Sequence, residues 1–389
     1  MSLTLSDICE YRTETTTLSD IDSYLSTESM LPNKQGITRS SALPDQNKFR
    51  IYRCGDTLVS NIRPYFKKIW QADHDGTCSA DVLVFKPLHC DPSYLYWVLS
   101  DDDFFDYMTA TSRGTKMPRG DKDAIMRYRI DPCSFQVQKQ IAAVLNPIRS
   151  KILINARIND HLAEMAMMLF DSECPQTNEP NAVLSDVAEI TMGQSPSGSS
   201  YNENGHGEVF YQGRGEFGSF FPRRHLFTTE PKRMAREGDI LVSVRAPVGD
   251  LNIAAEDCCI GRGLAAIHSG SNQSFVHYLM RAQKRQLDTF NGDGTVFGSI
   301  NGKALKELSV YLPSNDGIAH LQSLLEPIDA MIRRNDDEMQ ALEQLRDALL
   351  PRLMSGEIDI SRIGLRQLNG HLGAPTSLLA YSVALILYR

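Results

Sequence analysis

The decapeptide GDILVSVRAP at residues 238–247 has a near-copy far upstream, GDTLVSNIRP at residues 55–64. One match of this kind decides little, so the question is whether others keep the same order. They do. Leu5-Ser6-Asp7-Ile8-Cys9-Glu10 answers Leu184-Ser185-Asp186-Val187-Ala188-Glu189, Ser112-Arg113-Gly114-Thr115-Lys116 answers Asp293-Gly294-Thr295-Val296, and Asn146-Pro147-Ile148 answers Glu326-Pro327-Ile328. Short matches recurring at an offset of about 180 residues indicate a tandem duplication, each copy long enough to fold as a unit.

Composition sets the limits. A chain of 389 residues with 42% hydrophobic and 23% charged residues has material for two cored domains and is not wholesale disordered. The net charge of -8 argues against a strong independent nucleic-acid binder, because nonspecific affinity comes mostly from neutralising phosphates. Eight cysteines without a CxxC pair suggest neither a zinc site nor a disulfide framework, and a reducing cytoplasm is the expected location. No secretory signal is evident, and the apolar run at residues 377–388 is too short to span a bilayer.

Within each copy the texture changes once. The first part is rich in Gly, Pro, Ser and β-formers, as in Leu58-Val59-Ser60, Val82-Leu83-Val84-Phe85, Ile240-Leu241-Val242-Ser243 and Ala265-Ala266-Ile267, with one helix expected over residues 92–108 and another over 274–287. The second part is a heptad seam. Its first copy runs Ile141, Leu145, Ile148, Ile152, Asn155, Asn159, Leu162, Ala166 and Leu169. Its second runs Ile318, Leu321, Leu325, Ile328, Ile332, Asn335, Met339, Leu342 and Leu349, with Leu345 slightly off register. Asn155 and Asn335 hold matching seam positions, where a polar residue lowers stability but can fix which partner and register are allowed; the alternative is that both sit at frayed, wet spots. Pro147 and Pro327 are expected to start each helix at its first turn or to kink it. Because both stripes outrun what one small domain can cover, the two helices are expected to pair with each other as an antiparallel rod. The alternative is that each packs on its own domain.

These residues resemble the specificity subunits of type I restriction-modification systems, the HsdS family. The similarity covers about residues 3–360, and its most telling pieces are GDILVSVRAPVGD at 238–250, CIGRGLAAI at 259–267 and LEQLRDALLPRLMSGEIDI at 342–360. The resemblance implies an α+β fold: two tandem mixed α/β target-recognition domains separated by two long antiparallel coiled-coil helices, with a pseudo-twofold internal repeat. The expected boundaries are 1–134 and 183–313 for the recognition domains, 135–172 and 314–356 for the spacer helices, 173–182 for a linker and 357–389 for a tail. Residues 364–389 match nothing in the repeat.

The function implied is noncatalytic reading of a bipartite, gapped duplex DNA site, one half per domain. Partner subunits supply the chemistry: two modification subunits methylating adenine N6 with S-adenosylmethionine, and two ATP- and Mg-dependent restriction or translocase subunits. No cofactor or metal is expected in this chain, and no membrane. Phosphates call for Lys or Arg and base edges for Arg, Lys, Asn or Gln. The candidates are Arg63, Tyr65, Lys67, Lys68, Arg113, Lys116, Arg119 and Lys122 in the first copy. In the second they are Gln212, Arg214, Arg223, Arg224 and Arg245, with Lys232, Arg233 and Arg236 nearby. If the flanking prolines are aligned, Arg63 and Arg245 fall one position apart, so in a strand they would point to opposite faces. Helix pairing is assigned to Ile148, Ile152, Asn155, Leu162, Ile328, Ile332, Asn335 and Leu342.

Catalytic readings fare worse. Gly298-Ser299-Ile300-Asn301-Gly302-Lys303 fails as a phosphate loop on spacing and has Ala304 where Ser or Thr would bind magnesium. The glycine-rich stretch at residues 193–198 reads as a mobile loop, and Glu230-Pro231-Lys232 is an isolated ExK. Two rivals stand beside the DNA reading: a coiled-coil assembly or scaffold protein that binds no DNA, and the specificity domain of a fused, type II-like methyltransferase system. The latter is disfavoured by the absence of a methyltransferase tetrapeptide or cofactor loop.

Overall fold

The computed structural model of the chain describes residues 3–175, 179–292 and 298–360. The matches at Asp293-Gly294-Thr295-Val296 and the residues from 361 onward lie outside them. The chain forms two compact units, one holding the chain up to Ala156 and again from Asp337, the other Arg157–Asp336. Both divisions fall inside long helices, Phe135–Glu173 and Asn315–Met354. Each unit thus joins one globular domain to part of each long helix.

The GD phrases explain the shared scaffold. In the first unit the strand Thr57–Ser60 is central in an antiparallel sheet ordered Cys9–Tyr11, Val82–Pro87, Thr57–Ser60, Ile69–Gln71. In the second, Ile240–Ser243 is central in a sheet ordered Glu189–Met192, Leu264–His268, Ile240–Ser243, Leu251–Ile253. Both faces of these strands are covered. Val59, Leu83 and Phe85 join the core under the helices, whereas Leu58, Val82 and Val84 join the core of a second sheet. Val242, Ala265 and Ile267 against Leu241, Leu264 and Ala266 repeat the division. Successive strand side chains point to opposite faces, so the Leu-Val pair supplies one residue to each core. The second sheet of each unit contains one parallel pair, Tyr24–Leu25 with Gly76–Cys78 and Glu208–Tyr211 with Cys258–Ile260.

Before each strand the backbone turns identically. Gly55 and Gly238 adopt φ +90° and +85°, a region that favours glycine. The carboxylates of Asp56 and Asp239 each accept the backbone N–H three residues earlier, from Arg53 and Arg236, at 2.8 Å. Their other partners differ. Asp56 meets Arg12 at 2.6 and 3.0 Å with both side chains buried, whereas Asp239 meets His268 at 2.7 Å, and that ring is 32% exposed. Asp56→Ala removes two charge-assisted hydrogen bonds from a buried guanidinium, which keeps only Glu14 at 2.8 Å, and is expected to cost about 3–4 kcal/mol. Asp239→Ala leaves a ring that water still reaches and is expected to cost about 1–3 kcal/mol. The urea-unfolding midpoints of the two variants check this ranking.

The helical segments depart from expectation in two ways. Residues 92–108 form two helices, Pro92–Ser100 and Asp102–Ala110, because Asp101 turns extended and caps the second through Asp103 N–H. Residues 274–287 likewise divide into Gln273–Ala282 and Lys284–Asp288. Pro147 and Pro327, expected to start each long helix or to kink it, lie well inside the helices and so start neither. The helices do pair antiparallel, with Asn155 Nδ2 donating to Glu338 at 2.7 Å, Asn159 Nδ2 to the Ile332 carbonyl at 3.1 Å and Asn335 Nδ2 to Asn159 Oδ1 at 2.8 Å.

Each helix stripe also covers its own domain. Ile141, Leu145, Ile148 and Ile152 share a core with Met339, Leu342 and Leu349 and with Trp97 and Leu99. In the second unit the buried apolar residues of the first helix are Ala163, Ala166 and Phe170, with Leu162 and Leu169 only partly buried at its margin. That corrects the expected seam, and the reason is a third body: Phe170 packs on Phe275 of the domain, ring centroids 5.8 Å apart.

Candidate nucleic-acid interface

At the end of each sheet away from the GD turn, the same loops converge. In the second unit Gly261 N–H donates to the Tyr211 carbonyl, Gly263 N–H to Gln212, Val244 N–H to Gly263 and Gln194 N–H to Ile260. A Cβ on Gly193 would lie 2.1 Å from the Gly261 carbonyl oxygen, and one on Gly261 2.9 Å from Gln212 Cα. Only glycine permits this approach. The CIGRG segment therefore folds tightly between two loops and leaves Arg262 exposed at the tip. The stretch at residues 193–198, expected to be mobile, is tied in at its start by Gly193 N–H to Leu264 and Gln194 N–H to Ile260.

This end gathers Gln212, Arg245 and Arg262, all exposed, and Ser299, which bridges Arg245. Arg262 was missed by the sequence reading; the flanking glycines of Gly261-Arg262-Gly263 were the available signal. The other candidates lie elsewhere or are occupied. Arg214 turns to Asp250, 3.1 Å away, in a cavity of about 450 Å³ that Arg281 and Lys284 also line. Arg223 belongs to a separate loop through its N–H to Glu216, and Arg224 is held by both oxygens of Glu256. Lys232 and Arg233 are exposed, while Arg236 belongs to the GD turn at the far end.

The first unit builds the same end from different side chains. Asn61 N–H donates to Asp81 as Val244 does to Gly263, and Ile62 bridges Arg119 as Arg245 bridges Ser299. Arg63 N–H donates to Pro118, and Arg113 and Arg119 exchange backbone hydrogen bonds, so Arg63, Arg113 and Arg119 come together with exposed Lys116. Ion pairs occupy several of these. Arg119 makes two 3.2 Å contacts with Asp81, Arg113 pairs with Asp121, and Lys67 lies 2.9 Å from Asp102. Lys68 donates to the Thr27 carbonyl at 2.7 Å, and burial lowers its pKa. Tyr65 is exposed and Lys122 is exposed beside Asp121. Neither Arg63 nor Arg245 lies in a strand, since the strands end at Ser60 and Ser243; the opposite-face argument therefore falls away.

Among the described residues no group of His, Cys, Asp or Glu is placed to hold a metal ion. Burial pushes the thiols of Cys9 and Cys258 well up and that of Cys78 up to about 12, so these cysteines are packing residues.

Comparison with known proteins gives this geometry its context. The family model of the type I restriction modification DNA specificity domain matches residues 181–343. The chain is 32% identical over 295 residues to the MjaX type I restriction enzyme specificity subunit of Methanocaldococcus jannaschii, whose name marks the assignment as provisional, covering 69% of each chain. It is 22% identical to the HindI type I restriction enzyme specificity subunit of Haemophilus influenzae, covering 86% of this chain and 94% of that one. Among solved structures, the S subunit of a type I restriction-modification system from M. genitalium is 17% identical with a TM-score of 0.48, covering 91% of this chain and 96% of that one. The 32% identity to the Methanocaldococcus jannaschii subunit over 69% of each chain makes the chain a member of the type I restriction enzyme specificity subunit family.

Proposed function

We propose that the chain directs a type I restriction-modification complex to DNA, each unit reading one half of a bipartite duplex site through its loop-built end. The observation that carries this is the pairing of one scaffold with two surfaces. Arg119 and Asp81 stand where Ser299 and Gly263 stand in the other unit, so the same framework presents different hydrogen-bonding groups. Arg245 and Arg262 suit phosphate or guanine contacts, and Gln212 suits adenine. The chain contributes no catalysis. Adenine-N6 methylation belongs to modification subunits that carry S-adenosylmethionine, two per complex, and ATP-dependent translocation to two restriction subunits. Among the described residues no helix is long and apolar enough to cross a membrane.

Long-read methylation mapping in a host carrying this chain with its methyltransferase tests the reading: the expected result is a two-part motif with an unread gap. A continuous motif, or none, overturns it. At the residue level, Arg245→Ala with Arg262→Ala is expected to weaken DNA binding by the assembled complex and to lower the slope of log affinity against log salt by roughly two, if both neutralise phosphates. Arg223→Ala with Arg224→Ala is expected to change the slope less, because Glu256 already engages Arg224.

A further inference from the structure

The described chain has four non-glycine residues with left-handed backbone, Asn33, Lys34, Arg63 and Lys67, and all four lie in two facing turns of the first unit. Asn33 N–H donates to the Phe66 carbonyl at 2.9 Å and Lys34 N–H to the Lys67 carbonyl at 3.0 Å, so each turn locks the other. Lys34 and Lys67 both reach Asp102, at 2.7 and 2.9 Å, and Arg63 N–H is fixed to Pro118 at 2.8 Å. Strained backbone of this kind persists only where surrounding structure imposes it, and it concentrates at functional sites.

This locked turn displays two aromatic rings. Tyr65 is 48% and Phe66 39% exposed, their centroids 4.8 Å apart, within the sequence Arg63-Pro64-Tyr65-Phe66-Lys67-Lys68. Exposed rings on a rigid turn cost little ordering entropy on binding. The corresponding segment of the second unit, Ala246-Pro247-Val248-Gly249-Asp250-Leu251, has no aromatic residue, and Val248, in the place of Tyr65, is fully buried. The shared fold therefore does not require the rings.

We propose that Tyr65 and Phe66 form a base-stacking wedge that engages the DNA half-site read by the first unit, entering at a base step or covering an unstacked base. The inference rests on the DNA-reading function above and adds a contact made in one half only. Apolar and aromatic side chains at basic surfaces act on DNA in this way, and the ease of unstacking a given step becomes part of what is read.

The test uses the complex of the full chain with its methyltransferase subunits and a duplex carrying the mapped motif. Position by position, 2-aminopurine replaces bases of the first half-site other than the methylated adenine. Wild type is expected to raise fluorescence at one step. Tyr65→Ala with Phe66→Ala is expected to abolish that rise and weaken binding about ten- to a hundredfold, with the salt slope unchanged, because no phosphate contact is lost. Tyr65→Trp is expected to retain both signals. A double variant that binds within twofold of wild type, or a wild type with no responsive step, overturns the wedge while leaving the gapped motif intact. Failure of the double variant to assemble overturns it in favour of a protein contact. A wild-type complex that binds no duplex overturns it together with the reading it rests on.

Discussion

Replacing the second domain with that of a relative changes one half of the methylated motif, reduces methylation of the original site to background, and leaves the other half unchanged. This expected result follows from where the cores close. Among the described residues, the sheets and the short helices of the second unit share cores with residues of that unit, so an exchanged domain brings its own interior. The junctions matter. Residues 183–313 are the segment the repeat suggests, but a cut at 183 divides the strand pair Ala182–Val183 with Ser309–Val310. It also separates Asn181 from Leu312, whose backbone it clamps at 2.8 and 2.9 Å. Residues 181–312 keep the clasp whole. The donor must also keep the docking onto the second long helix, where Tyr278 OH donates to Asp329 at 2.8 Å and Arg333 donates to the Ala255 carbonyl at 2.8 Å. Methylation mapping of the chimera checks the result; a change in both half-motifs sinks the modular reading.

The exchange is conceivable because much of this organisation was legible in the sequence. The GD phrase marked a strand that must be apolar on both faces, and a turn that needs a glycine and a carboxylate; those demands are local, so they survive in both copies as text. The heptad seam was legible as far as Asn159, where helix meets helix. Beyond it the pattern holds at Ala166 but misleads by one residue at Leu162 and Leu169, because Ala163 and Phe170 answer to the domain as well as to the partner helix. Two-body periodicity has no way to express a three-body contact.

The candidate interface was harder to see for an electrostatic reason. Arg113, Arg119, Arg224 and Lys67 look alike as sequence, yet their partners Asp121, Asp81, Glu256 and Asp102 lie 8 to 38 residues away, and ion pairing changes what each cation can offer a phosphate. Arg262 became a candidate only when the glycines around it were seen to press its loop between two others. The Tyr65–Phe66 turn was legible as a basic-aromatic run but not as strained backbone, since its left-handed residues are held by a second turn at Asn33 and Lys34.

Lengthening both long helices by one heptad is expected to widen the unread gap between two unchanged DNA words. An α-helix rises about 1.5 Å per residue, so a heptad adds roughly 10 Å, the length of about three base pairs of B-DNA. Position decides whether the variant folds. Insertions after Asn159 and after Met339, the points the seam alone suggests, would pull Asn159 from Ile332 and Asn335 and would pull Glu338 from Asn155. Insertions between Ala156 and Arg157 and between Asp336 and Asp337 disturb neither set, because these are the divisions between the two units. The added segments need apolar residues at seam positions so that they pair with each other, and a single insertion would throw the asparagines out of register. The extra length also turns the second word around the DNA axis, so activity falls unless the partner subunits adjust. In any active double variant, methylation mapping should find the same two words with about three more base pairs between them. An active double insertion that still methylates the original spacing shows that the helices do not measure DNA, and that the gap is set by the partner subunits instead.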